Sequence, residues 1–199
     1  MTENSFSSTT TGVVATATGI VIILAIVLIV LFFTIGEPFG TLNDLANGLA
    51  GILSGLLAWM LFTQHSSKSS LLSQLALALA LMGALVVVAG AVLVIFKITG
   101  WVLAGWYTAA GNAVIGIWLA AFSYIALRTL ALPGNLARFG LIAGLLMAAG
   151  IFAVLGILAR IDSMASLPWV LNLAYLGFLG TYILFPIWAI WLGRILLMK

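Results

Sequence analysis

The chain has 199 residues, of which 65% are hydrophobic and only 6% are charged, and its formal net charge is +3. Because soluble domains carry about a quarter charged residues, this composition excludes a water-soluble globule and predicts that lipid covers most of the surface. The absence of cysteine excludes disulfides and thiolate metal sites, and the singly scattered Lys and Arg residues exclude a nucleic-acid-binding face.

The first apolar run occupies residues 12–35 and contains no charge. At about 1.5 Å per residue it is longer than the roughly 30 Å hydrocarbon core of a bilayer, which predicts a first transmembrane helix. Residues 1–11 are polar and contain no Lys or Arg, so we interpret them as a cytoplasmic tail rather than the basic start of a secretory signal. The Val/Ile-rich centre of the run favours contact with lipid.

A polar turn at residues 36–43 leads into a second predicted helix at about 42–62. Pro38 cannot continue the preceding helix, because it lacks a backbone N–H and its ring clashes with the previous turn. Either Asn43 or Asp44 is expected to cap the second helix, since a side-chain oxygen accepts a bond from the first turn and an acid is favourable there.

Four more apolar runs follow, separated by short polar or Pro/Gly-containing turns. They predict helices at about 71–96, 102–127, 139–159 and 169–192. The predicted fold is all-α: a polytopic transmembrane bundle of six spans with short loops, forming a single domain over residues 12–199. A five-span alternative, with one segment lying in the membrane interface, stays open because the third and fourth runs are the least clearly delimited.

An even number of spans places both termini on one side, and the distribution of Lys and Arg predicts which side. One set of turns and termini carries five basic residues, Lys68, Arg128, Arg138, Arg194 and Lys199. The opposite turns carry two, Lys97 and Arg160, together with the acids Glu37, Asp44 and Asp162. This bias predicts cytoplasmic termini, and the expected location is a bacterial-type plasma membrane.

A short internal match relates the second and fourth predicted helices. Asn47 and Gly51, followed by Ile, recur as Asn112 and Gly116, also followed by Ile. One interpretation is three tandem helical hairpins that descend from one unit. The other is a chance match within helices whose Trp and Tyr residues form an ordinary interfacial belt.

Small residues recur every fourth position on three predicted helices, which places them on one helix face. The set comprises Gly48, Gly51 and Gly55 on the second helix, Gly116 on the fourth, and Gly140 and Gly144 on the fifth. Small side chains let helix backbones approach closely, so these residues predict helix packing. The alternative is a narrow cleft with a glycine floor between the second, fourth and fifth helices.

Four polar residues are candidates to line a ligand site or path. Asn47 and Asn112 lie inside their predicted helices, where a buried amide must find a partner in a neighbouring helix or in a ligand. Glu37 and Asp44 lie near a membrane boundary, where an acid either is solvated or contacts a cation or proton. Lys97 or Arg160 is the alternative partner for these acids.

The inventory of reactive residues predicts a protein that is not an enzyme. The single histidine, His65, lies in a predicted turn and cannot build a zinc or haem site alone. The nucleotide-binding and zinc-protease motifs are absent, and no pair of carboxylates lies deep in adjacent spans. We therefore expect no catalytic residue, no metal and no cofactor.

Two classes of function fit these features. The first is an accessory or structural subunit that packs in a membrane assembly, with other subunits or a second copy as partners beside the lipid bilayer. The second is a small carrier or channel for a neutral or weakly polar solute or a lipid-like ligand, with Asn47, Asn112 and Asp44 lining the path. A cavity that contains both asparagines would favour the carrier, whereas a packed contact between them would favour the subunit.

Overall fold

A computed structural model describes residues 7–64, 71–165 and 167–198. The described residues form helices without β-strands, and six helices are long and apolar enough to cross a membrane. We number them α1 (Ser8–Ile35), α2 (Phe39–Gln64), α3 (Leu71–Ile95), α4 (Trp101–Thr129), α5 (Gly134–Leu158) and α6 (Trp169–Leu197). The all-α bundle of six spans predicted from the sequence is confirmed. His65, Lys68 and Lys199 lie outside the described residues.

Helix α1 begins at Ser8, inside the segment predicted to be a polar tail. The Ser7 side chain accepts a hydrogen bond from the Thr10 backbone N–H at 3.1 Å and caps the helix. A serine oxygen at this position satisfies a backbone donor that otherwise has no partner, so the Ser/Thr-rich sequence extends the helix.

Helix α2 begins at Phe39, three residues before the predicted start, and neither Asn43 nor Asp44 caps it. Glu37 takes that role, because its carboxylate accepts the Thr41 backbone N–H at 3.3 Å and the Thr41 hydroxyl at 3.2 Å. The earlier start places Asn43 and Asp44 inside the helix, where their side chains project towards the bundle interior.

Helix α4 is capped by a residue from a different part of the chain. Asp162 accepts the backbone N–H groups of Gly100 at 2.7 Å and Leu103 at 3.0 Å. The Trp106 indole N–H donates to the Ile161 carbonyl at 3.1 Å, one turn further along α4. These bonds join the connection after α5 to the start of α4.

The even-numbered helices form the inside of the bundle. Between 44% and 61% of the apolar stretch is buried in α2, α4 and α6, against 22% to 33% in α1, α3 and α5. Helix α1 packs against α2 and α6, α3 against α2 and α4, and α5 against α4 and α6. We call the end that carries residues 36–38 and 96–100 the acidic end, and the opposite end the basic end.

Contacts between the two ends of the chain close the bundle. A Cβ placed on Gly12 of α1 would lie 3.1 Å from the Gly193 carbonyl of α6. The Gln64 side chain, at the end of α2, donates to the Thr11 hydroxyl at 2.7 Å. The start of α1, the end of α2 and the end of α6 therefore meet at the basic end.

Helix α6 departs from regular α-helical geometry at two places along its length. It starts as a 3-10 turn at Trp169–Leu173 and contains a π-helical turn at Gly180–Leu184. Single π turns are frequent at functional sites because they rotate the side chains that follow. This turn contains Tyr182.

Candidate functional site

A cavity of about 320 Å³ lies at the acidic end, between the even-numbered helices and α1. Its lining is Ile26 and Ile29 of α1; Asn43, Asp44 and Asn47 of α2; Trp101, Val102, Ala104, Gly105, Trp106 and Thr108 of α4; Met164; and Tyr175, Phe178 and Tyr182 of α6. Trp101 and Met164 are 40% and 51% exposed, so the cavity opens at the acidic end. Its volume is at the small end of the range of about 300–1,000 Å³ for ligand pockets.

A chain of three hydrogen bonds crosses the inner wall of this cavity. The Tyr182 hydroxyl donates to Asn47 Oδ1 at 2.8 Å, and Asn47 Nδ2 donates to Asn43 Oδ1 at 3.1 Å. Asn43 Nδ2 then donates to the Ala25 carbonyl at 2.7 Å. The chain ties α6 to α2 and α2 to α1, and it supplies partners for amides that are only 5% and 9% exposed.

The direction of this chain follows from its last acceptor. A carbonyl can only accept, so Asn43 must turn its NH₂ group towards Ala25, which leaves its oxygen to accept from Asn47. The same logic makes Asn47 Oδ1 the acceptor for the Tyr182 hydroxyl. Because the Tyr182 proton is committed to Asn47, the phenol oxygen has only lone pairs left to offer a ligand.

Asp44 lines the same cavity and is half-buried. Its carboxylate has neither a hydrogen-bond donor nor a basic side chain among its partners in the described part of the chain. Among the described residues that line the cavity, Asp44 is the one side chain that is charged at neutral pH, and the lining includes neither Lys nor Arg. An ionised acid without a counter-charge raises the free energy of a membrane-spanning segment, so its presence there indicates a functional site.

Aromatic rings form much of the remaining wall. Tyr175, Phe178 and Tyr182 follow one another along α6, with ring centroids 5.8 Å and 5.7 Å apart. Trp101 and Trp106 of α4 also line the cavity, and Trp101 packs edge-on against Phe33 of α1. The cavity thus combines an apolar body with a few polar groups.

The structure separates the polar residues that the sequence grouped together. Asn47 and Asp44 line the cavity, whereas Asn112 and Glu37 do not. Glu37 instead bonds Thr41 at the start of α2. Asn112 is half-buried on α4 and takes no part in the hydrogen-bond chain that contains Asn47.

The glycine faces of α2 and α4 lie against the odd-numbered helices α3 and α5. The cleft between α2, α4 and α5 was the alternative interpretation, and the cavity described above lies elsewhere, between the even-numbered helices and α1. On α2, a Cβ at Gly51 would lie 2.9 Å from Val87 of α3, and Gly48 and Gly55 face α3 in the same way. On α4, Gly116 faces Gly144 of α5.

Gly140 occupies a different contact, between two even-numbered helices. A Cβ there would contact Ser123 Oγ of α4 and lie 2.5 Å from Trp188 Nε1 of α6. The absence of a side chain at Gly140 therefore lets α5 approach both α4 and α6 at the basic end.

Asn43 and Tyr182, the two side chains that bond Asn47, were not among the predicted site residues. Asn43 was one of two predicted caps, although its spacing of four residues from Asn47 places both on one helix face. Tyr182 lies thirteen residues after the start of α6, or about 20 Å along the axis. Tyrosines in spans concentrate at the membrane boundaries, so this depth was a usable signal.

A second cavity, of about 270 Å³, lies at the basic end. Its lining is Leu61, Phe62, Gln64, Ser73, Ala76, Trp118, Phe122, Ile125, Ala126, Thr129 and Ala131. This lining contains no charged side chain among the residues that the structure describes. The acidic-end cavity is therefore the stronger candidate for a ligand site.

The fold defines an integral membrane protein with multiple spans, and its acidic-end cavity is a candidate ligand site. Comparisons of the chain with protein-family models, with curated proteins and with solved structures found no match. Within the described residues, no group of three or more His, Cys, Asp or Glu side chains is placed to hold a metal ion.

Proposed function

We propose that this protein binds a small amphipathic ligand in the acidic-end cavity, as the binding step of a membrane carrier. The observation that carries the proposal is the convergence of Asp44, Asn47 and Tyr182 on one wall of an otherwise apolar cavity. Ligand sites commonly combine an apolar lining with a small number of placed polar groups. The proposed role is non-catalytic, because the described lining residues do not pair a nucleophile with an adjacent base.

The orientation that accompanies this proposal follows the distribution of basic residues. Arg128, Arg138 and Arg194 lie at the basic end, which we place in the cytoplasm of a bacterial-type cell. The ligand would then enter the acidic-end cavity from outside the cytoplasm. A path through the bundle would need a second state, in which the packed region between the two cavities opens.

The test is to fill the cavity without disturbing the helix contacts. Gly105 lines the cavity, and a Cβ placed on it meets no atom within 4 Å. Gly105→Leu should therefore occupy the cavity with its side chain and abolish binding of 2-phenylethanol and 2-phenylethylammonium, measured by calorimetry on the detergent-purified protein. Thermal unfolding should not shift downwards, since leucine favours a helix over glycine by up to about 1 kcal/mol.

The matched control is Gly134→Leu. Gly134 is exposed at the start of α5, and a Cβ there also meets nothing within 4 Å. Asn112→Leu is a second control, because Asn112 does not line the cavity. Both variants should bind the probes as the unmodified protein does, and unchanged binding in Gly105→Leu would refute the cavity as the site.

The accessory-subunit role predicted from the sequence is the second candidate. Its support is the close approach of helices at Gly116 and Gly144, which makes a rigid bundle suited to packing against other subunits. Purification in mild detergent discriminates the two roles. A stoichiometric protein partner that is retained by Gly105→Leu would favour the subunit, whereas a co-purified small molecule that this variant loses would favour the carrier.

A further inference from the structure

We propose that the acidic-end cavity selects a small organic cation, an ammonium group with an apolar body, and that Asp44 is its counter-charge. The inference rests on the proposed function and adds the chemical class of the ligand. Three features of the cavity point to that class: the charge of its lining, the direction of its hydrogen bonds and the aromatic composition of its walls.

The charge of the lining is the first feature. Asp44 is half-buried in the cavity wall, and among the residues that the structure describes neither Lys nor Arg lines the cavity to neutralise it. A carboxylate next to hydrocarbon and aromatic surface is poorly solvated. The attraction between Asp44 and an entering cation therefore offsets a large part of the hydration free energy that the cation loses. An anionic ligand would meet repulsion at the same place.

The direction of the hydrogen bonds is the second feature. A chain of hydrogen bonds runs from Tyr182 through Asn47 and Asn43 to the Ala25 carbonyl, and in it the Tyr182 hydroxyl donates its proton to Asn47. The phenol oxygen and the Asp44 carboxylate therefore both present acceptors to the cavity. An ammonium group offers several N–H donors and no acceptor, which complements this wall. An alcohol offers one donor, and a carboxylate offers none.

The aromatic walls are the third feature. The cavity is lined by Tyr175, Phe178 and Tyr182 of α6 and by Trp101 and Trp106 of α4. The faces of aromatic rings attract cations, and the area of the rings also covers an apolar body. A volume of about 320 Å³ suits a molecule of roughly one ring and a short chain.

The experiment compares three probes of nearly equal size: 2-phenylethylammonium, 2-phenylethanol and phenylacetate. Calorimetry on the purified protein should give an affinity for the cation at least about tenfold above that for the alcohol, and no binding of the anion. In Asp44→Asn the cation affinity should fall to that of the alcohol, while the affinity for the alcohol stays within about twofold of its original value.

Glu37→Gln is the matched control, because it removes a carboxylate at the same end of the bundle that does not line the cavity. It should retain the preference for the cation. The ratio of affinities in the unmodified protein decides whether a cation is selected, even if Asp44→Asn does not fold.

The possible failures of the two proposals differ. Equal binding of the alcohol and the cation, both abolished by Gly105→Leu, would overturn the selection of a cation and leave the ligand site intact. Binding of phenylacetate in preference to the cation would do the same. Probe binding that Gly105→Leu does not change would overturn the proposed function itself.

Discussion

At the scale of single residues, Asp162 shows how one side chain joins distant parts of the chain. It accepts two backbone N–H groups at the start of α4, from Gly100 and Leu103. Gly100, the residue at the cap position, has no side chain and cannot do this itself. The acidic end is therefore fastened by a carboxylate that lies more than fifty residues later in the sequence.

Asp162→Ala should destabilise the protein by about 0.5–2 kcal/mol, the usual effect of losing a cap. Thermal unfolding in detergent measures the change. Asp162→Asn keeps one acceptor oxygen in place of two, so it should recover only part of the loss. Ser163→Ala is the neighbouring control, because in the described part of the chain its hydroxyl oxygen accepts a bond from Ala165 of the same connection and none from α4. An equal loss in Ser163→Ala would show that the connection, and not the cap, matters.

At the scale of elements, glycine decides how closely the helices approach. A Cβ on Gly144 of α5 would lie 2.5 Å from the Ala120 backbone nitrogen and 2.6 Å from the Gly116 carbonyl oxygen of α4. Backbone atoms cannot rotate away, so any side chain at this position must push the two helices apart. Gly105, on the cavity side of α4, has free space instead.

Gly144→Ala should therefore lower the free energy of unfolding by about 1–3 kcal/mol through overpacking. Gly105→Ala introduces the same methyl group and should be neutral or slightly stabilising. Unfolding of both variants in mixed micelles gives the comparison. Comparable stability of the two would mean that α4 and α5 separate without cost, contrary to the tight contact seen between them.

At the scale of the whole molecule, glycines lie where neighbouring helices of the bundle meet. Gly51 of α2 contacts α3, Gly116 of α4 contacts α5, and Gly193 of α6 contacts α1. Each even-numbered helix thus uses a glycine to meet the odd-numbered helix that follows it around the bundle. The matching Asn47–Gly51 and Asn112–Gly116 segments each place their glycine against the helix that follows, and their origin from one repeated unit stays a prediction.

The proposed orientation has a direct test, because the chain lacks cysteine and any introduced thiol is unique. Ser163 is exposed at the acidic end and Asn135 is exposed at the basic end. A membrane-impermeant maleimide applied to intact cells should label Ser163→Cys and leave Asn135→Cys unlabelled. After permeabilisation both should react, and the cysteine-free parent should not. The reverse pattern in intact cells would invert the orientation.

The sequence by itself determined the class of fold and the number of spans. In lipid, every backbone N–H and C=O must bond within its own segment, so an uncharged apolar run of sufficient length has the helix as its stable form. That argument is local to each run. It identified the six spans with small shifts in their ends, such as the earlier start of α2 at Phe39.

Only the tertiary structure decided which residues share a site. Asn47 bonds Tyr182, a residue 135 positions later, whereas Asn112, which has the same local sequence pattern, does not line the cavity. The Gly51 face meets α3 rather than another even-numbered helix. Periodicity gives the face of a helix but not the neighbour that covers it. The neighbour is set by the packing of all six helices together, which the local composition of each run does not encode.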